Sequence, residues 1–150
     1  MDMLLRFFFP DEPVNTGRSV LLLLARIAFG GLLLLHGWMK WHNFAVLSVS
    51  FPDPLGVGSQ AALMLTIFAE LFCSLGVIAG ALYRLALIPI ILALAVVVCV
   101  IHQGDTFASK ELALLYLIVF VLLFAAGPGR YAVDTLLAQK LKPVRHSEER

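Results

Sequence analysis

The chain has 150 residues, 61% of them hydrophobic and 14% charged, with a formal net charge of +1. A chain this apolar cannot cover itself with polar surface in water, so lipid is its natural solvent and a single membrane domain accounts for its length. Its near-neutral charge offers no basic face to nucleic acid, and it lacks nucleotide-binding glycine motifs, haem-attachment motifs and serine nucleophile elbows, which excludes the usual soluble catalytic machinery.

Residues 1–17 place Phe7, Phe8 and Phe9 beside Pro10, Asp11, Glu12 and Pro13, the pattern of a short interfacial segment. The four longest apolar stretches then follow: Ser19 to Leu35, Ala61 to Leu82, Leu85 to Ile101 and Leu112 to Ala126. Each approaches the roughly 20 residues needed to cross a hydrocarbon core of about 30 Å. With flanking residues included they predict spans at about 18–37, 60–82, 85–102 and 111–127, an all-α transmembrane four-helix bundle, with 138–150 as a flexible tail. The first stretch follows an acidic, proline-containing segment and leads into aromatic and basic residues rather than a small-residue cleavage site. It is therefore expected to remain in the mature protein.

Between the first two spans, Phe51, Pro52, Asp53, Pro54, Gly56 and Gly58 break any helix and form the one long loop. The second and third spans are joined by a tight hairpin before Arg84, and Pro89 falls in the early turns of the third, where proline costs least. In an alternating topology one side holds Arg6, Arg18, Arg84, Arg130, Lys140, Lys142, Arg145 and Arg150, and the other only Lys40 and Lys110. The positive-inside rule then puts both termini in the cytoplasm. Cys73 and Cys99 lie in apolar spans outside any Cys-x-x-Cys pair and read as small packing residues.

Two groups of residues carry candidate chemistry. Arg26 in the first span and Glu70 in the second are each costly facing lipid, so both are expected to point inward. At about 1.5 Å per residue they sit roughly 12 and 18 Å from the cytoplasmic side, close enough for the two to form a buried polar pair. Such a pair serves a proton relay or a ligand anchor, or else acts as a salt bridge that locks helix pairing.

The second group converges on the opposite face. His36, Trp38, Lys40, Trp41 and His42 leave the first span there, His102 and Asp105 leave the third, and Lys110 and Glu111 enter the fourth. His36, Lys40, His102, Asp105 and Glu111 make the candidate ligand site, because imidazoles exchange protons near neutral pH and the neighbouring charges tune them. Trp38 and Trp41 read equally as interfacial anchors. No metal is expected, since two histidines and two carboxylates occur without a ligand spacing such as His-x-x-x-His. Gly76-Val77-Ile78-Ala79-Gly80 is a GxxxG match, a signal for close helix packing or dimerisation.

Arg26, the run His36-Gly37-Trp38-Met39-Lys40, Glu70, Arg84 and the closing Gly127-Pro128-Gly129-Arg130-Tyr131-Ala132-Val133-Asp134 together resemble the DoxX family, over about Arg18 to Leu137. Tyr131 and Ala132 stand where a serine is common before the aspartate. Arg130 is read as ending the fourth helix at the cytoplasmic surface, with Asp134 pairing with it or with Arg84. The resemblance implies a multi-pass protein of the bacterial inner membrane. Its function would be that of an oxidoreductase component, because the family takes its name from a subunit of a thiosulfate:quinone oxidoreductase. A quinone, not covalently attached, is the implied redox partner; a partner subunit or that quinone would supply the redox chemistry, and a protein partner or a homo-oligomer is expected. The alternatives are a non-catalytic scaffold subunit and a small-solute transporter with Arg26 and Glu70 lining its path.

Overall fold

The computed structural model describes residues 15–141, so residues 1–14 of the interfacial segment and 142–150 of the tail lie outside the described residues. Helix α1 spans Thr16–His42, α2 Ser59–Ala79, α3 Tyr83–Ile101, α4 Phe107–Ala126 and α5 Val133–Leu141, with a single helical turn at Phe44–Leu47 after α1. The described residues contain no strand, and α1 to α4 are each long and apolar enough to cross a membrane. The architecture is the expected all-α bundle of four spans.

The limits of α1, α3 and α5 differ from those expected. α1 runs past Gly37 to His42, because nothing between Trp38 and His42 breaks a helix and the Asn43 side chain caps it on the Met39 carbonyl at 2.8 Å. Helix α3 starts at Tyr83 rather than at residue 85. Residues 138–141 continue α5, so the described part of the tail is ordered helix.

Apolar side chains cover both faces of α1. Ser19, Leu22, Arg26, Gly30, Leu33 and Gly37 recur every three or four residues as its buried stripe, while Leu21, Leu24, Leu32 and Leu35 face outward. An apolar exterior around a packed apolar interior is the arrangement lipid demands. The core gathers Leu33, Val77, Tyr83, Leu87, Ile90 and Phe120 from all four spans.

One end of the bundle is tied together by hydrogen bonds that bring the start of α1, the α2–α3 hairpin and the segment after α4 into contact. Arg18 donates to the Ala126 carbonyl, the Arg130 amide donates to the Ser19 hydroxyl, and the Asp134 amide donates to the Gly80 carbonyl. The hairpin turns through Gly80 and Leu82, both in the left-handed region (φ 71° and 46°). A Cβ on Gly80 would lie 2.5 Å from both the Arg26 guanidinium and the Ala132 methyl, so only glycine fits. Gly76, the other glycine of the GxxxG run, faces Ala86 on α3, and the motif therefore serves packing within the chain.

Near the middle of α2, residues Phe68–Cys73 form wide π-helical turns. In and just after this segment the adjacent residues Ala69 and Glu70, and then Cys73 and Ser74, all face inward. α1 packs on this segment at Gly37, where an added Cβ would come within 2.7 Å of the Leu71 nitrogen and 2.8 Å of the Glu70 carbonyl carbon. Both are backbone atoms and cannot step aside. Gly37→Ala is expected to force the two helices apart and cost about 1–3 kcal/mol in thermal stability in detergent, whereas Gly31→Ala, which meets nothing within 4 Å, leaves the melting temperature unchanged.

Candidate functional site

Polar side chains cluster at two depths. Towards the termini, Arg26 is 1% exposed and spends its guanidinium on backbone carbonyls: Val77 at 2.9 Å and Ile78 at 2.7 Å on the last turn of α2, and Pro128 at 2.7 Å and Tyr131 at 3.3 Å beyond α4. Its plane lies over the Tyr83 ring, 5.6 Å from the centroid, and the Tyr83 hydroxyl donates to the Leu123 carbonyl of α4. The carbonyls at a helix C-terminus carry partial negative charge, which accounts for a guanidinium settling there without a carboxylate.

Asp134 stands beside this knot. Its carboxylate accepts from the amides of Leu82 at 2.9 Å and Tyr83 at 2.8 Å, capping the start of α3 from a distant part of the chain. Sequence reasoning assigned Asp134 to Arg130 or Arg84. The orphan amides of α3 take it instead, because Leu82, in left-handed geometry, has no capping side chain of its own. Arg130 is exposed, and Arg84 packs over the Phe124 ring.

The second cluster lies in the other half of the bundle. Lys40 donates to Glu70 at 2.5 Å, joining α1 to the π-helical part of α2, with side chains 25% and 12% exposed. The expected Arg26–Glu70 pair is therefore not formed. Side chains on a helix lean towards its N-terminus. On α1 that tilt carries Arg26 towards the termini and Lys40 inward. On α2, which runs the opposite way, it carries Glu70 towards Lys40 and away from Arg26.

Around the Lys40–Glu70 pair the helices leave a cavity of about 700 Å³, mostly apolar and open on one side. Its polar wall consists of His36, Lys40, Thr66, Glu70, His102 and Tyr116, while Phe51, Pro52, Pro54 and Leu55 of the long loop cover its outer end. His36 meets Tyr116 edge-on, with ring centroids 6.0 Å apart, and Tyr116 stacks on Phe120. Tyr116 sits nine residues into α4, about 14 Å from the end where His102 closes α3, so the two histidines mark opposite ends of the cavity.

Of the five candidate ligand residues, His36, Lys40 and His102 line this cavity. Asp105 lies outside the wall, exposed, and meets the His102 ring nitrogen at 2.7 Å. Glu111 is exposed and also off the wall, because the first turn of α4 points it away from the bundle. Arg26 does not line the cavity, so it shares no path with Glu70. Glu70, Thr66 and Tyr116 were missed as cavity residues. The signal for Tyr116 was a lone hydroxyl inside an apolar span, which needs either a partner or a polar space. Among the described residues, no three of His, Cys, Asp and Glu gather where a metal ion could be held. Cys73 is buried, and Cys99 faces outward.

The DoxX family model matches residues 21–103, more than half of the chain. The chain belongs to the DoxX family. The matched stretch of this DoxX protein contains Arg26, the run from His36 to Lys40, and Glu70, so both polar clusters draw on it. The closing segment from Gly127 to Asp134 lies beyond it. No curated protein and no solved structure matches the DoxX chain. Family and fold together make it a multi-pass membrane protein.

Proposed function

We propose that this DoxX protein is a membrane oxidoreductase component that binds a quinone, or a similar lipophilic carbonyl compound, in the cavity between its four spans. The observation that carries the reading is the pairing of an apolar cavity of about 700 Å³ with one charged donor, Lys40, held on Glu70 in its wall. That volume falls within the range of sites for small organic ligands, which combine apolar walls with a few placed polar groups. Lys40 donates a charge-assisted hydrogen bond to a ring carbonyl, Glu70 orients Lys40, and His36 and Tyr116 pack around the ring. His102, held by Asp105, closes the polar wall at the outer end.

The chain carries no electron carrier of its own in this reading, so a partner subunit that holds one supplies the electrons to a bound quinone. With both termini cytoplasmic, as the Lys and Arg asymmetry argues, the protein sits in the bacterial inner membrane with His102 towards the outer face. The test is whether quinone accompanies the gently purified protein in native mass spectra and solvent extracts. Quinone in the wild-type extract supports the reading, and a wild type that carries none and retains no added menaquinone overturns it.

A further inference from the structure

The cavity reaches the surface of helices that are each long and apolar enough to cross a membrane. In its inner half α2 packs against α3, through residues Phe68–Ala79. In its outer half, Ser59–Ile67, its substantial contacts are with α1 instead. The two helices therefore diverge beyond the π-helical turns, with the cavity between them. Leu65 and Phe68 on α2 and Leu92 on α3 both line the cavity and are 54%, 50% and 61% exposed, so they form its rim. Leu92 is nine residues from either end of α3, about 14 Å, which sets the rim near the middle of a hydrocarbon core of roughly 30 Å.

The charged pair lies at a similar depth. Gly37, one turn before Lys40, rests on the backbone of Glu70 and Leu71, which puts Lys40 and Glu70 beside the midpoint of α2. A polar head reaching Lys40 through the rim never has to cross the loop Phe51–Leu55, and any tail it carries stays among Leu65, Phe68 and Leu92.

We propose that the cavity is loaded sideways from the bilayer through a portal between α2 and α3, and that its ligand is an amphiphile whose hydrocarbon tail remains in that portal while its head meets Lys40. This rests on the binding site proposed above and adds to it the route and the tail. An aqueous solute would have to enter past Phe51, Pro52, Pro54 and Leu55 of the loop, which line the same cavity.

The test uses two probes that share one headgroup, menadione, the bare naphthoquinone, and menaquinone, which adds a polyprenyl tail. Affinities are measured on the full chain in nanodiscs for wild type, Ala93→Trp and Leu65→Trp. Ala93 lines the cavity beside Leu92, and Leu65 faces it from α2, half in lipid, where an indole is tolerated if the first variant fails to fold. Comparing each variant with wild type cancels the probes' different partitioning into lipid. An indole in the portal is expected to weaken menaquinone about tenfold or more and menadione less than about twofold. Equal effects on both probes, or none on either, overturn the portal while leaving the headgroup site standing. A wild type that binds neither probe overturns both.

Discussion

Replacing Arg26 by methionine is expected to lower stability by roughly 3–5 kcal/mol, the largest effect of any single substitution in the membrane domain. Methionine fills most of the same space but donates nothing. The carbonyls of Val77, Ile78, Pro128 and Tyr131 then lose a buried charged donor in a region with little water to replace it. These four carbonyls lie on two separate stretches, the end of α2 and the segment after α4, so the loss also unties the fourth span from the hairpin. Arg26→Lys recovers only a small part, because a single ammonium cannot reach both stretches as a planar guanidinium fork does. The check is the melting temperature of the detergent-solubilised protein, with a double-mutant cycle against Glu70→Gln. Additive effects are expected, since Arg26 and Glu70 make their bonds at different depths; strong coupling between them would contradict the geometry.

Lys40→Met is expected to weaken quinone binding about 10- to 100-fold, equivalent to the 1.5–3 kcal/mol of a hydrogen bond to a charged group. The substitution keeps most of the length of the side chain, removes the one lysine that lines the cavity among the described residues, and leaves the Glu70 carboxylate without that partner. Glu70→Gln is milder. Its amide oxygen still accepts from Lys40, so the ammonium stays aimed into the cavity, and affinity is expected to fall no more than about fivefold. Titration of menaquinone into nanodiscs holding each variant measures both. If Glu70→Gln proves the more damaging, Glu70 rather than Lys40 makes the ligand contact. Because α1 and α2 are also held by Gly37 and by Gly30 against Ile78, neither change is expected to unfold the bundle.

The spans were legible because four apolar runs separated by glycine, proline and charge leave a chain few other ways to satisfy its backbone in lipid. The inward face of α1 was legible only in part. Its charged residue marked the stripe, but the extent of the helix past Gly37 did not show, since Trp38 to His42 suits an interfacial loop and a helical turn equally well. The pairing of charges failed for a physical reason. Arg26 and Glu70 were compared by the depth of their α-carbons, whereas a long side chain reaches about a turn towards its own helix N-terminus, in opposite directions on antiparallel helices. The same tilt, applied to Lys40, points to Glu70. The π-helical turns at Phe68–Cys73 had no visible signal in the sequence. Asp134 was singled out as part of a closing motif. Its true partners, two backbone amides at the start of α3, exist only once the hairpin has turned through Gly80 and Leu82.

A lipophilic carbonyl ligand held at Lys40 is tested most directly by native mass spectrometry with solvent extraction, run on gently purified wild type and on Lys40→Met. The expected result is a quinone bound to the wild-type chain, released on extraction and missing from the Lys40→Met protein purified in the same way. A wild type that carries no quinone, and that retains added menaquinone no better than Lys40→Met does, would contradict it.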